Sequence, residues 1–360
     1  MNAIVDDDFK YIFRELSEKD RDKFDGSKIL ITGAGGFIGY YMLNFLAKYR
    51  SELRIRNIMA LDNFVLGKPK WVELLLKKFD FFQARKFDVA SDGIDNIEGL
   101  QTFDTVVHMA SIASPTYYRR YPLKTLDANV WGLRKMLNFF GKSDIRGFLN
   151  FSSSEVYGDP DPAKVPTRED YFGNVAINGP RACYDEAKRF GETLCYVFNR
   201  EYGINIVSVR PFNNYGPGMR LDDARTPADF ANSILNKKDI EIYSDGLSMR
   251  TFTYISDALV GYLKALYYGK FDYFNIGMDH PEITISDLAK IFAEKGSEVF
   301  GHKTEIKYLT SNDKQYLTNN PRRRSPEITK AKEKLNFFPK IEVKDGVYRF
   351  LNYLKEEMVK

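Results

Sequence analysis

A tyrosine and a lysine four positions apart, Tyr184 and Lys188, are the first residues in the chain that could do chemistry. The pattern of residues 184–202 predicts a helix, and residues four apart on a helix lie on the same face. The phenol would then lie beside an ammonium group, which favours the phenolate and lowers the tyrosine pKa from its ordinary value of roughly 10. Such a pair can take a proton from a hydroxyl group and return it later. The same spacing also arises on solvated helix faces, so other parts of the chain must decide between the two readings.

A strand, a glycine turn and a helix near the N-terminus predict a dinucleotide site. An apolar run at residues 28–32 precedes Gly33, Gly36 and Gly39, and an apolar periodic segment follows as far as residue 49. Glycines at such a turn let the backbone approach a pyrophosphate at the start of the helix. The residues predicted to hold the dinucleotide here are Gly33, Gly36, Phe37, Ile38 and Gly39.

Asp62 favours NAD over NADP as the cofactor. It ends the next apolar run, at residues 58–61. A carboxylate at this strand end accepts hydrogen bonds from ribose hydroxyls and repels a 2′-phosphate. Ends of further strands complete the predicted cofactor site. The added residues are Asp62, Asn63, Asp88, Val89 and Ala110, together with Tyr184 and Lys188.

Strands that alternate with helical patterns predict an α/β fold with a Rossmann-type, doubly wound parallel sheet. Ligands of such sheets bind at the carboxyl ends of the strands, where Ser153 and Glu155 fall. After residue 210 the pattern changes, which predicts a smaller C-terminal α/β domain for the substrate. The predicted regions are a helical extension at 1–26, the NAD-binding domain at 27–210 with returning segments near 250–277, and the substrate-binding domain at 211–249 and 278–360.

Composition argues against several classes of protein. The 360 residues carry a net charge of +4, with no basic stripe, so no nucleic-acid partner is expected. Apolar runs stay well short of a membrane span. Cys183 and Cys195 form no CxxC pair and predict a reducing, cytoplasmic setting. Three scattered histidines predict no metal site.

Taken together, these features resemble the extended short-chain dehydrogenase/reductases that act on nucleotide sugars, from about residue 27 to 355. Within that group the chain is most similar to the UDP-glucuronate decarboxylases, also called UDP-xylose synthases. The stretches that carry this resemblance are HMASIASP at 108–115, SEVYGDP at 154–160, GPRACYDE at 179–186, RTFTYISD at 250–257, and the tail at 321–335.

The resemblance implies a mechanism for the residues that match the family. Tyr184 would deprotonate the sugar C4 hydroxyl while NAD takes the C4 hydride, with Lys188 on the nicotinamide ribose. Ser153 would hydrogen-bond the same sugar oxygen. The C4 ketone lies β to the C5 carboxylate, so carbon dioxide is lost before the hydride returns. Glu155 would position the sugar ring, and Arg250 would assist at the carboxylate or at C5 reprotonation.

The family pattern also implies a substrate site and a homodimer. Arg225 and Arg324 would pair with the diphosphate, because guanidinium groups suit phosphate geometry. The dimer would form through helices that include the one with Tyr184. The implied substrate-binding residues are Ser114, Tyr118, Ser154, Asn213, Arg225, Tyr243, Arg250 and Arg324.

Other functions stay open at this point. Dehydratases of the group carry an acidic Asp where this chain has Ser154, and 4-epimerases usually lack the acid at Glu155; both differences favour decarboxylation. Departures from the decarboxylase pattern at Ile112, Gly218 and residues 175–178 and 226–227 leave a different sugar or base open. A non-catalytic, NAD-binding regulatory protein is the remaining alternative, and it predicts a damaged catalytic set.

Overall fold

The computed structural model describes residues 2–315 and 317–358. The strands are β1 (Lys28–Thr32), β2 (Asn57–Asp62), β3 (Phe82–Lys86), β4 (Thr105–His108), β5 (Gly147–Phe151), β6 (Ile206–Pro211), β7 (Asn214–Tyr215), β8 (Ile240–Ile242), β9 (Met249–Arg250), β10 (Thr253–Tyr254), β11 (Asp272–Ile276), β12 (Ile283–Thr284), β13 (Ile306–Tyr308) and β14 (Arg323–Arg324). The α-helices are α1 (Ala3–Glu15), α2 (Glu18–Asp22), α3 (Phe37–Lys48), α4 (Lys70–Lys78), α5 (Pro115–Arg120), α6 (Pro122–Asp127), α7 (Leu133–Phe140), α8 (Ala182–Tyr202), α9 (Thr226–Leu235), α10 (Ile255–Leu266), α11 (Ile285–Phe300), α12 (Thr329–Leu335) and α13 (Val343–Met358).

Seven parallel strands form the central sheet, in the order β11-β6-β5-β4-β1-β2-β3. Apolar residues of α1, α3 and α10 pack on one face, and those of α7 and α8 pack on the other. Both faces are therefore covered, which agrees with the nearly continuous burial of β4 and β5. β2 and β3 follow on one side of β1, whereas β4 and the later strands lie on its other side. A crevice therefore forms at the carboxyl ends of β1 and β4. The predicted α/β, doubly wound fold is confirmed.

The N-terminal segment packs onto the body of the protein through α1, and the short helix α2 follows it. Phe9 and Ile12 of α1 are buried in the main core, and so is Leu16, which follows the helix. Asp8 is fully buried and accepts hydrogen bonds from the hydroxyls of Tyr41 and Tyr254, each at 2.7 Å. Arg349 of α13 pairs with the same carboxylate at 2.8 Å. The segment thus ties α3 to the last helix.

A second apolar cluster is formed by residues of α9, α11, α13 and β8, which make up the smaller C-terminal part. β13 pairs in parallel with β8, while β9 pairs with both β12 and β14. The pairing of β9 with β14 sets Arg250 opposite Arg324. Two cationic residues that are distant in sequence therefore become neighbours at the sheet-facing side of this part. The division into domains proposed from the sequence stays a prediction.

Candidate active site

A cavity of about 670 Å³ runs along the carboxyl ends of the central strands and on toward the C-terminal part. Most of the predicted catalytic and substrate residues line it, as do the glycine turn and the first residues of α3. These lining residues are Gly33, Gly36, Phe37, Ile38, Gly39, Tyr118, Ser153, Ser154, Glu155, Tyr184, Lys188, Asn213, Arg225, Tyr243, Arg250 and Arg324.

The predicted proton-transfer group assembles where α8 meets the end of β5. Ser153 is near enough to the phenol of Tyr184 to favour its ionised form by hydrogen bonding, and the Lys188 ammonium nitrogen lies 5.6 Å from the centroid of the Tyr184 ring. Lys188 Nζ donates to the carbonyl oxygen of Phe151 at 2.6 Å. Tyr184, Ser153 and Lys188 therefore stand together, as the spacing and strand ends predicted.

The pKa values of this group differ from the prediction. Burial raises the pKa of Tyr184 to about 12, and the hydrogen bond with Ser153 acts in the opposite direction. Burial also lowers the pKa of Lys188 to about 7. The expected lowering of the tyrosine pKa by Lys188 is not found, because desolvation dominates and the ammonium group is aimed at a backbone carbonyl.

Three arginines and two carboxyl groups form a charged cluster at one end of the cavity. Arg324 holds Glu155 with both terminal nitrogens, Nη1 to Oε1 and Nη2 to Oε2, each at 2.5 Å. Arg181 Nη2 lies 2.5 Å from Glu155 Oε2, and its Nε lies 3.4 Å from Asp185 Oδ2. Burial by itself raises the pKa of Glu155, but the two guanidinium groups outweigh it and hold that pKa below its usual range.

Arg250, the third arginine, has its donors directed at the backbone. Its Nη1 donates to the carbonyl oxygens of Met249 at 2.7 Å and Arg322 at 3.1 Å, and its Nη2 donates to that of Pro321. Burial and the nearby charge of Arg324 lower the pKa of Arg250 to about 9. Burial and repulsion by Arg324 both disfavour the charged form of Arg250, so an anionic group in the cavity would stabilise it.

Tyr118 stacks on the proposed base. The rings of Tyr118 and Tyr184 are nearly parallel, with centroids 5.3 Å apart and an interplanar angle of 13°. Within the described part of the chain, the buried hydroxyl of Tyr118 has no hydrogen-bond partner. A buried hydroxyl that faces a cavity can bind a polar group of a ligand there.

The glycine turn has the shape that a dinucleotide needs. Gly33 has a φ of +68°, and a Cβ there would come within 2.6 Å of the backbone nitrogen of Ala110. A Cβ on Gly39 would lie 2.1 Å from the carbonyl oxygen of Ala34. Helix α3 starts after Gly36, which offers no side chain to cap the first amides. Those amides are free to donate to a phosphate.

Asp62 lies at the end of β2 beside this turn. Its carboxylate accepts hydrogen bonds from the amides of Gly35 at 2.9 Å and Phe64 at 2.6 Å. Burial raises the pKa of Asp62, and these two amides lower it. The carboxylate and the glycine turn therefore lie side by side, and their roles at the ribose and pyrophosphate of NAD stay predictions.

The remaining predicted residues lie close to the cavity but outside its lining. Asn63 Nδ2 donates to Asp88 Oδ2 at 3.0 Å, and Ser114 Oγ donates to the carbonyl oxygen of Asp223 at 2.8 Å. The hydroxyl of Ser114 therefore points at the backbone rather than at a ligand. The predicted residues in this position are Asp62, Asn63, Asp88, Val89, Ala110 and Ser114.

The two arginines predicted for the diphosphate are paired with protein carboxylates. Arg225 forms an ion pair with Asp223, and Arg324 forms the bidentate pair with Glu155. The Tyr243 hydroxyl donates to a Glu241 side-chain oxygen. Binding of the diphosphate by Arg225 therefore requires it to share or exchange Asp223, and a role of Arg324 at the diphosphate stays a prediction.

Sequence reasoning missed Arg181. Its spacing of four from Asp185 on a helix could have indicated an ion pair. Its partner Glu155 lies on a different element, and no local pattern reveals that contact. Among residues 2–315 and 317–358, no cluster of histidine, cysteine and acidic side chains could hold a metal ion, and no helix is long and apolar enough to cross a membrane.

Comparisons with known proteins agree with the geometry. The model of the NAD dependent epimerase/dehydratase family matches residues 29–277. UDP-glucuronic acid decarboxylase 1 of Arabidopsis thaliana is 33% identical over 92% of this chain and 71% of its own length. The protein of the same name from Xenopus tropicalis is 32% identical over 95% of this chain and 74% of its own length.

Solved structures share the fold. UDP-glucuronic acid 4-epimerase from Bacillus cereus, in complex with UDP-glucuronic acid and NAD, is 25% identical with a TM-score of 0.76 and covers 92% of this chain and 99% of its own. UDP-glucose 4-epimerase from Thermotoga maritima, with UDP-glucose, is 24% identical with a TM-score of 0.79 over the same shares of the two chains.

Proposed function

We propose a specific reaction for this chain, which belongs to the NAD dependent epimerase/dehydratase family: the decarboxylation of UDP-glucuronate to UDP-xylose through transient oxidation at C4. Membership of the family, together with its decarboxylase relatives, makes the chain an NAD-dependent enzyme of nucleotide-sugar modification. The choice of UDP-glucuronate and of decarboxylation is the proposal.

The charged cluster beside the proposed base carries this proposal. Three largely buried guanidinium groups face two largely buried carboxyl groups: Arg181, Arg250 and Arg324 against Glu155 and Asp185. Buried charge that lacks a counter-ion is costly, so the surplus cation favours a ligand with a negative group at this end. A glucuronate carboxylate supplies that group, whereas the neutral sugar of UDP-glucose does not.

The chain's own residues can move the proton of the C4 hydroxyl group. Tyr184 takes the proton of the C4 hydroxyl, and Ser153 donates a hydrogen bond to the same sugar oxygen. The glycine turn at Gly33, Gly36 and Gly39 and the carboxylate of Asp62 would hold NAD, which would supply the hydride acceptor and donor for C4. Between these steps the C5 carboxylate leaves as carbon dioxide, and its bonding electrons move into the C4 ketone. C5 then takes up a proton from water, with Arg250 assisting, before Tyr184 returns its proton to the C4 oxygen.

Glu155 serves this reaction as an ionised acceptor. Its two oxygens are held by Arg181 and Arg324, which favour the anion. An anion cannot supply the proton that dehydration requires, and Ser154 is no acid. A second candidate is the 4-epimerisation of UDP-glucuronate, because the surplus cation would bind the same carboxylate.

Product analysis separates these reactions. The purified protein is incubated with NAD and UDP-glucuronate, and the nucleotide sugars are separated and identified by mass spectrometry. Carbon dioxide and UDP-xylose in equal amounts support the proposal. Formation of UDP-galacturonate would assign epimerisation instead. If the enzyme converted UDP-glucose and did not convert UDP-glucuronate, the proposal that the charged cluster binds a sugar carboxylate would be wrong.

The exposed apolar face around α8 supports a homodimer. Phe190 and Val197 are seven residues apart on α8, on one side of it, and expose 49% and 45% of their surface. Leu123 and Trp131, on segments that pack against α8, expose 73% and 55%. We propose that a second copy of the chain covers this face. Light scattering should report a dimer for the wild type and a monomer for Trp131→Glu; a monomeric wild type would refute it.

The setting and the domain division are proposals of the same kind. Two free cysteines, Cys183 and Cys195, support a reducing cytoplasm. The separate apolar clusters of the sheet and of the C-terminal part support the division between an NAD-binding and a substrate-binding domain. Limited proteolysis with and without NAD tests that division. NAD should protect the fragment that contains the central sheet from cleavage and leave the rate of cleavage in the C-terminal part unchanged.

A further inference from the structure

Arg181 occupies a central place in the charged cluster, and the proposed reaction uses it only as one of the two cations beside Glu155. It lies at the start of α8, three residues before the proposed base Tyr184, and keeps 7% of its surface exposed. Its guanidinium group reaches Glu155 at 2.5 Å and Asp185 at 3.4 Å. An arginine so deeply buried between two carboxyl groups is fixed in one orientation.

The position of Glu155 depends on both of its arginines. Arg324 holds the two carboxylate oxygens in parallel, and Arg181 adds a contact to Oε2 from a different element. Arg324 approaches from β14 and Arg181 from α8, so together they anchor Glu155 to both parts of the molecule. Losing either cation would leave the carboxylate with fewer favourable charges around it.

The same guanidinium group also contacts the stack on the proposed base. Arg181 Cζ lies 6.0 Å from the centroid of the Tyr118 ring, within the range of a cation–π interaction. Tyr118 in turn stacks on Tyr184 at 5.3 Å. Arg181 thus touches the carboxylate on one side and, through Tyr118, supports the base on the other.

We propose that Arg181 is a positioning residue for the reaction: it keeps Glu155 ionised and in place, and it holds Tyr118 against Tyr184. The proposal rests on the proposed function, since it names the device that sets the geometry of that same site. Arg181 does its work through Glu155 and Tyr118 and needs no contact with the substrate.

The first test replaces Arg181 and follows the pH dependence of turnover. In Arg181→Met, kcat for UDP-glucuronate should fall roughly 10²-fold with a smaller change in KM, because misplaced groups lower the rate more than binding. A new loss of activity should appear on the acid side, because Glu155 would take up a proton more easily without this cation. Arg181→Lys keeps the charge but loses the second terminal nitrogen of the guanidinium group. Its kcat should therefore lie between those of the wild type and Arg181→Met, and its pH profile should be that of the wild type.

A matched control comes from the same helix. Arg200 is exposed near the end of α8, so Arg200→Met removes an arginine from that helix without touching the site. It should keep the wild-type kcat and pH profile. Thermal unfolding followed by circular dichroism shows whether each variant is folded. If Arg181→Met does not fold, Arg181→Lys decides the matter: unchanged kcat in the folded lysine variant would overturn the proposal.

A double-mutant comparison separates positioning from general structural damage. If Arg181 acts largely through Glu155, Arg181→Met should cost much less in a Glu155→Gln background than in the wild type, and the acid-side loss should be absent there. Full additivity of the two losses, or a wild-type pH profile in Arg181→Met, would contradict the proposal.

The failure of the proposed function gives a different result. A wild-type chain that does not decarboxylate UDP-glucuronate contradicts the reaction before any variant is compared. The Arg181 series is then measured on the nucleotide sugar that the wild type does oxidise, where the same acid-side loss is expected. A variant series without that loss counts against Arg181 whichever substrate is used.

Discussion

Glu155 and Asp8 are two of the carboxylates that lie largely inside this protein, and their surroundings differ in kind. Glu155, at the candidate active site, is held by two guanidinium groups, which lower its pKa in spite of burial. Asp8, on the buried face of the N-terminal helix α1, is bound by two tyrosine hydroxyls and one partly exposed arginine. Burial raises the pKa of Asp8, and the tyrosines and Arg349 offset only part of that rise.

The difference between neutral and cationic donors supports different roles for the two carboxyl groups. Neutral hydroxyl donors satisfy a carboxyl group without fixing its charge, which suits a contact that only joins helices. Two cations fix the charge of Glu155, which suits a site where a proton in the wrong place would stop the reaction. Function at Glu155 and architecture at Asp8 should therefore respond differently to substitution.

The largest effect is expected for Glu155→Gln. The change keeps the shape but removes the counter-ion of Arg324 and leaves Arg181 with Asp185 alone, and breaking such a buried pair costs roughly 3–5 kcal/mol. Turnover of UDP-glucuronate should fall roughly 10²-fold as well. Urea denaturation and steady-state kinetics measure the two losses. A variant as stable and active as the wild type would remove the contrast with Asp8.

A smaller effect, on stability alone, is expected for Asp8→Asn. Tyr41 and Tyr254 keep an acceptor, so the loss should be about 1–3 kcal/mol. Because Asp8 lies away from the residues that line the cavity, kcat and KM should stay at wild-type values. A marked fall in kcat would show that the N-terminal helix contributes to the site.

The pH dependence of stability should have opposite signs at the two carboxylates. The pKa of Asp8 is raised from 3.8, so its contribution is present below that pH and is lost as the pH rises through the folded-state pKa. The pKa of Glu155 is lowered from 4.5, so its contribution is present above that pH and is lost as the pH falls. In urea denaturation between pH 3 and 8, the stability deficit of Asp8→Asn should be greatest in acid and that of Glu155→Gln should be greatest near neutrality. Parallel curves would contradict both assignments.

The smallest effect is expected for Arg349→Met. Arg349 keeps 37% of its side chain exposed, so its pairing with Asp8 should contribute at most about 1 kcal/mol. Arg324→Met, the equivalent change at Glu155, should cost several times more because Arg324 is buried. The two variants are compared by urea denaturation at pH 7, and equal losses would show that burial does not distinguish the sites.

The sheet and the cofactor turn could be predicted because their signals are local. Gly33, Gly36 and Gly39 follow a buried strand directly, and Asp62 ends the next strand, so spacing alone placed them. The helical spacing of Tyr184 and Lys188 likewise predicted that the proposed base and the cation lie together.

The charged cluster could not be predicted in the same way. Arg324 reaches Glu155 because the two-residue strand β14 pairs with β9, and strands this short leave no periodic signal. Arg181 and Glu155 meet across two elements whose packing only the folded chain defines. Arg225 and Arg324 were predicted to bind a diphosphate because the sequence does not show their carboxylate partners, Asp223 and Glu155.

The most direct test of the account follows the hydrogen at C4. UDP-glucuronate that carries deuterium at C4 is converted by the enzyme with its NAD, and the product is analysed by mass spectrometry and NMR. The account predicts UDP-xylose that keeps the deuterium at C4, with no net formation of NADH, because the hydride leaves and returns within one turnover. UDP-xylose without that deuterium, or deuterium recovered only in NADH beside a released keto sugar, would contradict it.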